Sequence, residues 1–318
     1  MSDKKPPQDI EKTKSSGDDV SANTTDTPRR RFFALQEDAT VQDIRKAVNE
    51  VVSHKVMQSE LYNQYNVLVL YDPASMQRGD ADKIYSAISE FKDKRDILMV
   101  LRSDGGSIEA AYFIAKLCRD FAKKKFVVAV PRRAKSAATL ICCGADEIHM
   151  GSLSELGPID PQIGNMPALA LKNAVEHIAD LAQRYPGSSQ MFASYLEKSV
   201  KPEQLGYYER VAESAVQYAV RLLKSRVSSG GRPPNEIATK LVYEYKDHGF
   251  AIDVQEAIDI FGDGVILRTT NEYQFANDLY QELDLVEYWL GTHLNYHFYF
   301  TGSPSGGCSV FKKRQKSV

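Results

Sequence analysis

The chain has 318 residues, 43% of them hydrophobic, which is enough to bury the core of one large α/β domain or two smaller ones. Its 40 basic and 42 acidic residues leave a formal net charge of -2, so the overall balance would not draw the chain to nucleic acid or to an anionic membrane. We therefore expect no nucleic-acid partner.

The N-terminal segment is rich in Lys, Asp, Ser, Thr and Pro and fails the pattern of a secretory signal, which predicts a disordered tail over residues 1–35. No apolar run of about eighteen residues occurs, so we expect no membrane span and a cytoplasmic protein. The four cysteines lack CxxC spacing, and three lie in apolar helical stretches. They are predicted to be free buried thiols rather than disulfides or zinc ligands.

From residue 36 the chain alternates between helix and strand patterns. A helix is predicted over 36–57, because charged and aliphatic residues alternate there at helical spacing. Apolar strands are predicted at 66–71, 97–102, 126–131 and 147–150, separated by helices at 80–92, 107–123 and 136–143. Apolar strands that alternate with helices indicate a parallel sheet with helices on its faces.

The chain beyond residue 162 is predicted to be mostly helical. The expected helices are 168–184, 188–199, 202–228, 235–245, 254–261 and 271–289, with a late strand at 265–268. This organisation predicts one domain over residues 36–290 and a C-terminal extension, partly flexible, over 291–318. Its residues 302–318 contain Ser, Gly, Pro and a run of Lys and Arg, which predicts a flexible tail. Aromatic residues at 296–300 are expected to pack on the core or on a partner subunit.

Two turns at the ends of predicted strands carry a candidate site. The sequence DGGS at 104–107 follows one strand, and AKSA at 134–137 follows the next, so both lie at the carboxyl edge of the sheet, where ligands bind. The two glycines allow a tight turn that exposes N–H groups. Ser136 stands at a helix N-terminus, where free N–H groups and the helix dipole favour a developing oxyanion. Such a pair of turns suits acyl transfer.

The order of motifs resembles one known family. DGGS and AKSA are followed by GADEI at 144–148 and by LGPIDPQI at 156–163. This order resembles the serine dehydrogenase proteinases of the Clp protease and crotonase superfamily, which are related to signal peptide peptidase A, over roughly residues 61–277. The resemblance implies an α/β, Clp/crotonase-like spiral of βαβ units with a helical C-terminal portion. It also implies an ATP-independent serine peptidase with a peptide or protein substrate, no cofactor or metal, and a homo-oligomer.

The resemblance assigns roles to three residues. Ser136 matches the nucleophile, while Gly106 and Ala137 match the positions whose N–H groups line the oxyanion hole. The alternative for Ser136 is a simple N-cap, since serine before an apolar helical run is a common cap.

The sequence offers more than one candidate for the general base. Clp subunits carry a histidine about 25 residues after the serine, and that neighbourhood here contains Asp160 and no histidine. Lys172 lies where signal peptide peptidases carry a lysine, and His248 lies near the position of the acidic member of the Clp triad. Both are candidate bases, from the same or another subunit, and Asp160 either orients a base or forms a turn. His149 is more readily a structural histidine.

Two other functions fit the same turns. A crotonase-type enzyme would use the oxyanion hole for the enolate of an acyl thioester and would need a glutamate facing it, with Glu109 the nearest in sequence. A non-catalytic assembly protein would keep the fold without the base, and the missing histidine favours that reading.

Overall fold

The computed structural model describes residues 26–163, 166–168, 170–199, 201–226 and 232–313. Residues 1–25 of the predicted N-terminal tail and residues 314–318 of the C-terminal extension lie outside this part. The strands are β1 (Tyr65–Asp72), β2 (Asp96–Ser103), β3 (Phe126–Val130), β4 (Arg133–Ala134), β5 (Glu147–Met150), β6 (Glu155–Leu156), β7 (Gln162–Ile163), β8 (Met166–Pro167), β9 (Ile266–Arg268), β10 (Tyr296–Gly302) and β11 (Cys308–Lys312).

Helices fill most of the remaining described chain. They are α1 (Pro28–Phe33), α2 (Val41–Met57), α3 (Arg78–Ser89), α4 (Ile108–Phe121), α5 (Ala137–Cys143), α6 (Ala170–Arg184), α7 (Ser189–Ser199), α8 (Pro202–Lys224), α9 (Pro234–Thr239), α10 (Val254–Phe261) and α11 (Asn271–Thr292). None of the helices in the described ranges combines the length and the apolar character needed to cross a membrane.

Nine strands of the described chain form one sheet, in which β1, β2, β3, β5 and β9 are parallel neighbours in that order. The short strands β4 and β6 continue the sheet from the end of β2. Parallel strands joined by helices form βαβ units. This confirms the predicted α/β class, with its Clp/crotonase-like spiral of βαβ units and its helical C-terminal portion.

The sheet separates two hydrophobic cores, because successive side chains of a strand point to opposite faces. In β2, Met99 and Leu101 join a core built with α3, α4, α5 and α8, whereas Leu98 and Val100 join a core built with α2 and α11. Each of these four residues is at most 2% exposed. The predicted strand is therefore apolar throughout because both of its faces are covered.

The N-terminal tail ends earlier than predicted. Residues 28–33, assigned to a disordered tail over 1–35, form α1, which Thr27 caps by accepting from Arg30 N. Phe32 is fully buried, and its ring lies 5.0 Å from that of Trp289 on α11. A single large aromatic side chain in a core cleft therefore orders a segment that composition alone predicts to be disordered.

Within the C-terminal extension over 291–318, the prediction of a flexible tail over 302–318 is wrong for residues 308–312, which form β11. Strand β10 pairs antiparallel with β1, and β11 pairs with β10, so residues 296–312 belong to the main sheet. Phe298 and Phe300 are buried in the core beside α11, which confirms that the aromatic stretch packs on the core. Burial of these alternating aromatic side chains stabilises the strands by more than the local Gly, Ser and Lys residues destabilise them.

We expect Phe32→Ala to lower the free energy of unfolding by about 3 kcal/mol, since it deletes a buried aromatic ring and leaves a cavity. Phe33→Ala is the matched control, because Phe33 is only partly buried beside the same helix, and its cost should be about 1 kcal/mol. Urea denaturation of both variants measures the difference. Equal, small losses would show that α1 does not contribute to the folded body.

Candidate active site

The glycine turn after β2 is held against a second turn by backbone contacts. Met76 N donates to Gly105 O at 2.8 Å, and Ser107 N donates to Met76 O at 2.9 Å. Gly105 and Gly106 have φ of 111° and 137°, which side-chain-bearing residues rarely adopt. A Cβ on Gly106 would lie 2.9 Å from Met76 Cα and closer still to Met76 N and O. The turn therefore requires glycine for both conformation and space.

Ser136 occupies a strained backbone conformation between β4 and α5. Its φ of 50° and ψ of -118° lie outside the regions favourable to L-residues. Its side chain accepts no capping hydrogen bond, so the simple N-cap interpretation of this residue is wrong. The residue is partly exposed. A serine on a sharp, strained turn between strand and helix is the arrangement that presents a hydroxyl at the edge of a sheet.

The two turns touch, which brings Gly106, Ser136 and Ala137 into one locality. A Cβ on Gly105 would lie 2.8 Å from Ser136 Cβ and 3.3 Å from Ala137 N. The N–H groups of Gly106 and Ala137 find no hydrogen-bond acceptor within the described part of the chain. Two N–H groups thus remain free to donate to a ligand beside Ser136.

A buried threonine that the sequence analysis missed supports this turn. Thr139 Oγ1 donates to Ala134 O at 2.6 Å and accepts from Gly157 N at 3.0 Å. It therefore joins β4, α5 and the segment that leads to Asp160. Its only sequence signal is a hydroxyl inside the apolar run of α5.

Asp160 and His248 form a charge-assisted pair. His248 Nδ1 lies 2.6 Å from Asp160 Oδ1, and the Asp160 carboxylate raises the pKa of His248 above its usual value, chiefly through this hydrogen bond. The Asp160 side chain is 8% exposed and that of His248 33%. The sequence analysis named both residues but did not pair them, because 88 positions separate them.

Lys135 fastens the segment that carries His248 to the serine turn. Its Nζ donates to Phe250 O at 3.1 Å and to Leu156 O at 3.3 Å. Its positive charge also lies near enough to His248 to oppose the rise in the pKa of that residue. Lys135 thus connects the segment of His248 to the turn that carries Ser136.

Lys172, the other candidate base, is paired with a carboxylate. It lies on α6, where its Nζ forms an ion pair with Glu209 at 3.2 Å, and this hydrogen bond raises the pKa of the lysine. A catalytic lysine needs a lowered pKa, which burial away from carboxylates provides. The contacts of Lys172 within one chain therefore oppose a role as base.

His149 is a buried structural residue, as the sequence analysis preferred. The residue is 2% exposed and its Nδ1 lies 2.7 Å from Thr270 Oγ1, which caps α11.

The fold and the site define a ClpP-like α/β protein with a strained serine beside two free N–H donors. The family model of ClpP-like SDH-type serine proteinases matches residues 38–202, just over half of the chain. The chain belongs to this family.

Two curated relatives come from Methanocaldococcus jannaschii. The uncharacterized protein MJ0137 is 28% identical over 203 residues, which cover 64% of this chain and 65% of the relative. The uncharacterized protein MJ1495 is 27% identical over 177 residues, which cover 56% of this chain and 54% of the relative. The matched part of the chain thus spans less than two thirds of the length of either relative.

Similar solved structures include two mutants of the 1510-N membrane-bound stomatin-specific protease. A serine-to-alanine mutant aligns with a TM-score of 0.41 and 15% identity, covering 67% of this chain and 84% of the other. A lysine-to-alanine mutant in complex with a substrate peptide aligns with a TM-score of 0.40 and 14% identity, covering 78% and 88%. Similarity at this level assigns no residue a role.

We expect Gly106→Ala to lower the free energy of unfolding by about 2 kcal/mol or more, since its Cβ meets the Met76 backbone and its φ is unfavourable for alanine. Gly79→Ala on α3 is the matched control, because a Cβ there meets nothing within 4 Å. That control should be neutral or stabilise by up to about 1 kcal/mol. Chemical denaturation of both variants tests this, and a Gly106→Ala protein as stable as the control would contradict the close contact.

Proposed function

We propose that this protein is a serine peptidase in which Ser136 attacks a peptide carbonyl and the N–H groups of Gly106 and Ala137 hold the oxyanion. Membership of the family supports the general activity. The observation that carries the assignment to these residues is the strained Ser136 in contact with a glycine turn, beside two N–H donors without acceptors. Strain of this kind persists only where the surrounding structure imposes it.

His248 is the general base in this proposal, and Asp160 is its positioning residue. With Nδ1–H donated to Asp160, the neutral imidazole keeps Nε2 as an acceptor for the hydroxyl proton of Ser136. Oγ then bonds to the carbonyl carbon, and the C–N bond breaks as the amine takes the proton from His248. Water, deprotonated by the same nitrogen, cleaves the acyl ester and restores Ser136.

The crotonase-type alternative gains no support from the position of its glutamate. Glu109 is exposed and accepts a hydrogen bond from Ser107 Oγ at 3.0 Å, so it is engaged at the start of its own helix. The independence from ATP, the cytoplasmic location and the homo-oligomeric state remain predictions that belong to this proposal.

We expect a fluorophosphonate probe to label the protein at Ser136, which mass spectrometry of the labelled peptide identifies. Ser136→Ala should lose both labelling and peptidase activity, with a melting temperature close to that of the wild type because the hydroxyl makes no capping bond. Ser136→Gly should also be unlabelled and at least as stable as Ser136→Ala, since glycine adopts a positive φ without strain. Ser189→Ala, a serine change on α7, is the control that keeps labelling. Labelling that persists in Ser136→Ala would refute the proposed nucleophile.

The pH dependence of turnover tests the base. Because the base must be neutral, activity should rise with pH through the pKa of His248, which the carboxylate of Asp160 raises above its usual value. Asp160→Asn should reduce turnover and move this acid limb to lower pH, while His248→Gln should abolish turnover. Lys172→Met should keep the limb unchanged. Loss of activity in Lys172→Met together with normal activity in His248→Gln would assign the base to the lysine instead.

A further inference from the structure

Strand β10 extends beyond the end of the strand it pairs with. Its antiparallel register with β1 runs from Gly302 to Phe300, and the partner of Phe300 is Tyr71. β10 nevertheless begins at Tyr296, and over 296–299 its only registered partner among the described strands is β11. The edge of β10 opposite β11 is therefore open over these residues.

The hydrogen-bonding groups on that open edge follow from the strand alternation. Thr301 N donates to Gly307 O at 2.9 Å, and Asn295 O accepts from Lys313 N at 2.9 Å, so the odd-numbered residues direct their groups towards β11. Successive residues of a strand direct these groups to opposite sides. Tyr296 and Phe298 therefore direct their N–H and C=O groups to the open side.

A cleft of about 880 Å³ occupies the position where β1 would continue. Its lining includes Tyr296 and Phe298 from β10, Pro73 and Ala74 from the chain after β1, Arg102 from β2, and Tyr288 from α11. The cleft thus has the position of a missing strand, between an open edge and the end of β2.

Arg102 brings a buried guanidinium group to this cleft. The residue is 9% exposed, its guanidinium lies 5.1 Å from the centre of the Tyr71 ring, and its Nη1 has no hydrogen-bond partner among the residues that the structure describes. Asp104 Oδ2 forms an ion pair with Nη1 at 3.9 Å, which is too long for a hydrogen bond, and Asp104 Oδ1 lies 2.6 Å from Arg133 Nε. A buried donor without an acceptor is costly, so this geometry favours a ligand that supplies one.

The carboxylates that line the cleft already have partners. Glu287 accepts from the hydroxyl of Tyr71, and Asp284 accepts from the hydroxyl of Tyr280 at 3.1 Å. Lys313, the other cation of the lining, donates to Gly291 O at 3.0 Å, whereas Arg102 Nη1 has no acceptor among the described residues. A carboxylate is its best complement, because the pair forms charge-assisted hydrogen bonds.

We propose that this cleft binds an extended peptide segment as a strand added to β10, with an Asp or Glu side chain of that segment paired to Arg102. Tyr71 and Arg102 are register partners and share the α11 face of the sheet, so alternate side chains of an added strand point to the same face. The inference rests on the proposed function in taking the segment to be part of the substrate. Arg102 precedes the glycine turn by only two residues, which places the cleft on the same edge of the sheet as Ser136.

Binding is measured without turnover on the Ser136→Ala protein, by fluorescence anisotropy. The probe is a short labelled peptide of alternating Val and Thr with one central Glu and both termini blocked, and its partner carries Gln instead. The Glu peptide should bind about tenfold more tightly or better. Arg102→Gln should remove this preference, whereas Arg133→Gln, which removes the same charge beside Asp104, should keep it.

The added strand has its own test, which also serves if Arg102→Gln does not fold. Tyr296→Pro removes an N–H on the open edge and leaves the hydrogen bonds to β11 in place. Tyr296→Ala is the matched control, since it removes the ring and keeps the N–H. The Glu peptide should bind at least tenfold more weakly to the proline variant than to the alanine variant.

Three results would overturn the proposal: equal binding of the Glu and Gln peptides, equal binding to the two Tyr296 variants, or binding only by peptides with a free C-terminal carboxylate. The peptidase proposal fails separately, since it depends on labelling at Ser136 and not on this binding. A cleft that binds the Glu peptide as described, in a protein that the probe does not label, would refute the peptidase alone.

Discussion

The arrangement of this site depends on backbone groups that meet without intervening side chains. The turn at Gly105 and Gly106 touches the backbone of Met76 on one side and Ser136 on the other, at distances that leave no room for a Cβ. These contacts hold the glycine turn against the segment that contains Met76, because neither can move without losing the hydrogen bonds between them. The strain at Ser136 is possible since β4 before it and α5 after it fix both ends of its turn.

Electrostatic organisation is added to this framework from distant parts of the chain. Thr139 and Lys135 anchor the segments that carry Asp160 and His248, and the carboxylate in turn sets the orientation and raises the pKa of the histidine. Asp160 lies in the part of the sequence where the Clp pattern has a histidine, and His248 lies near the position of its acidic residue. The two residues still form a hydrogen-bonded pair, since hydrogen bonding requires proximity in space and not an order in sequence.

Much of the fold could be predicted because its signals are local. The strands β1, β2, β3 and β5 are apolar runs within one residue of their predicted bounds, and α10 begins and ends where its periodicity indicates. The helix α1 and the hairpin β10–β11 could not be predicted in the same way. Phe32 packs against Trp289, and the strand of Phe298 and Phe300 pairs with β1, more than 200 residues earlier in the chain. Both elements are therefore stabilised by non-local contacts.

The sequence by itself determined the class of fold and the two turns that carry Gly106, Ser136 and Ala137, because strand periodicity, glycine and helix N-termini act over a few neighbouring residues. The tertiary structure alone decided that Asp160 holds His248, that Lys172 pairs with Glu209 and that Arg102 Nη1 lies buried without an acceptor in the described part of the chain, beside an open strand edge. The physical reason is that pKa shifts and unmet hydrogen bonds depend on distance and burial. Both are set by how separate segments pack together, and neither is encoded in the order of adjacent residues.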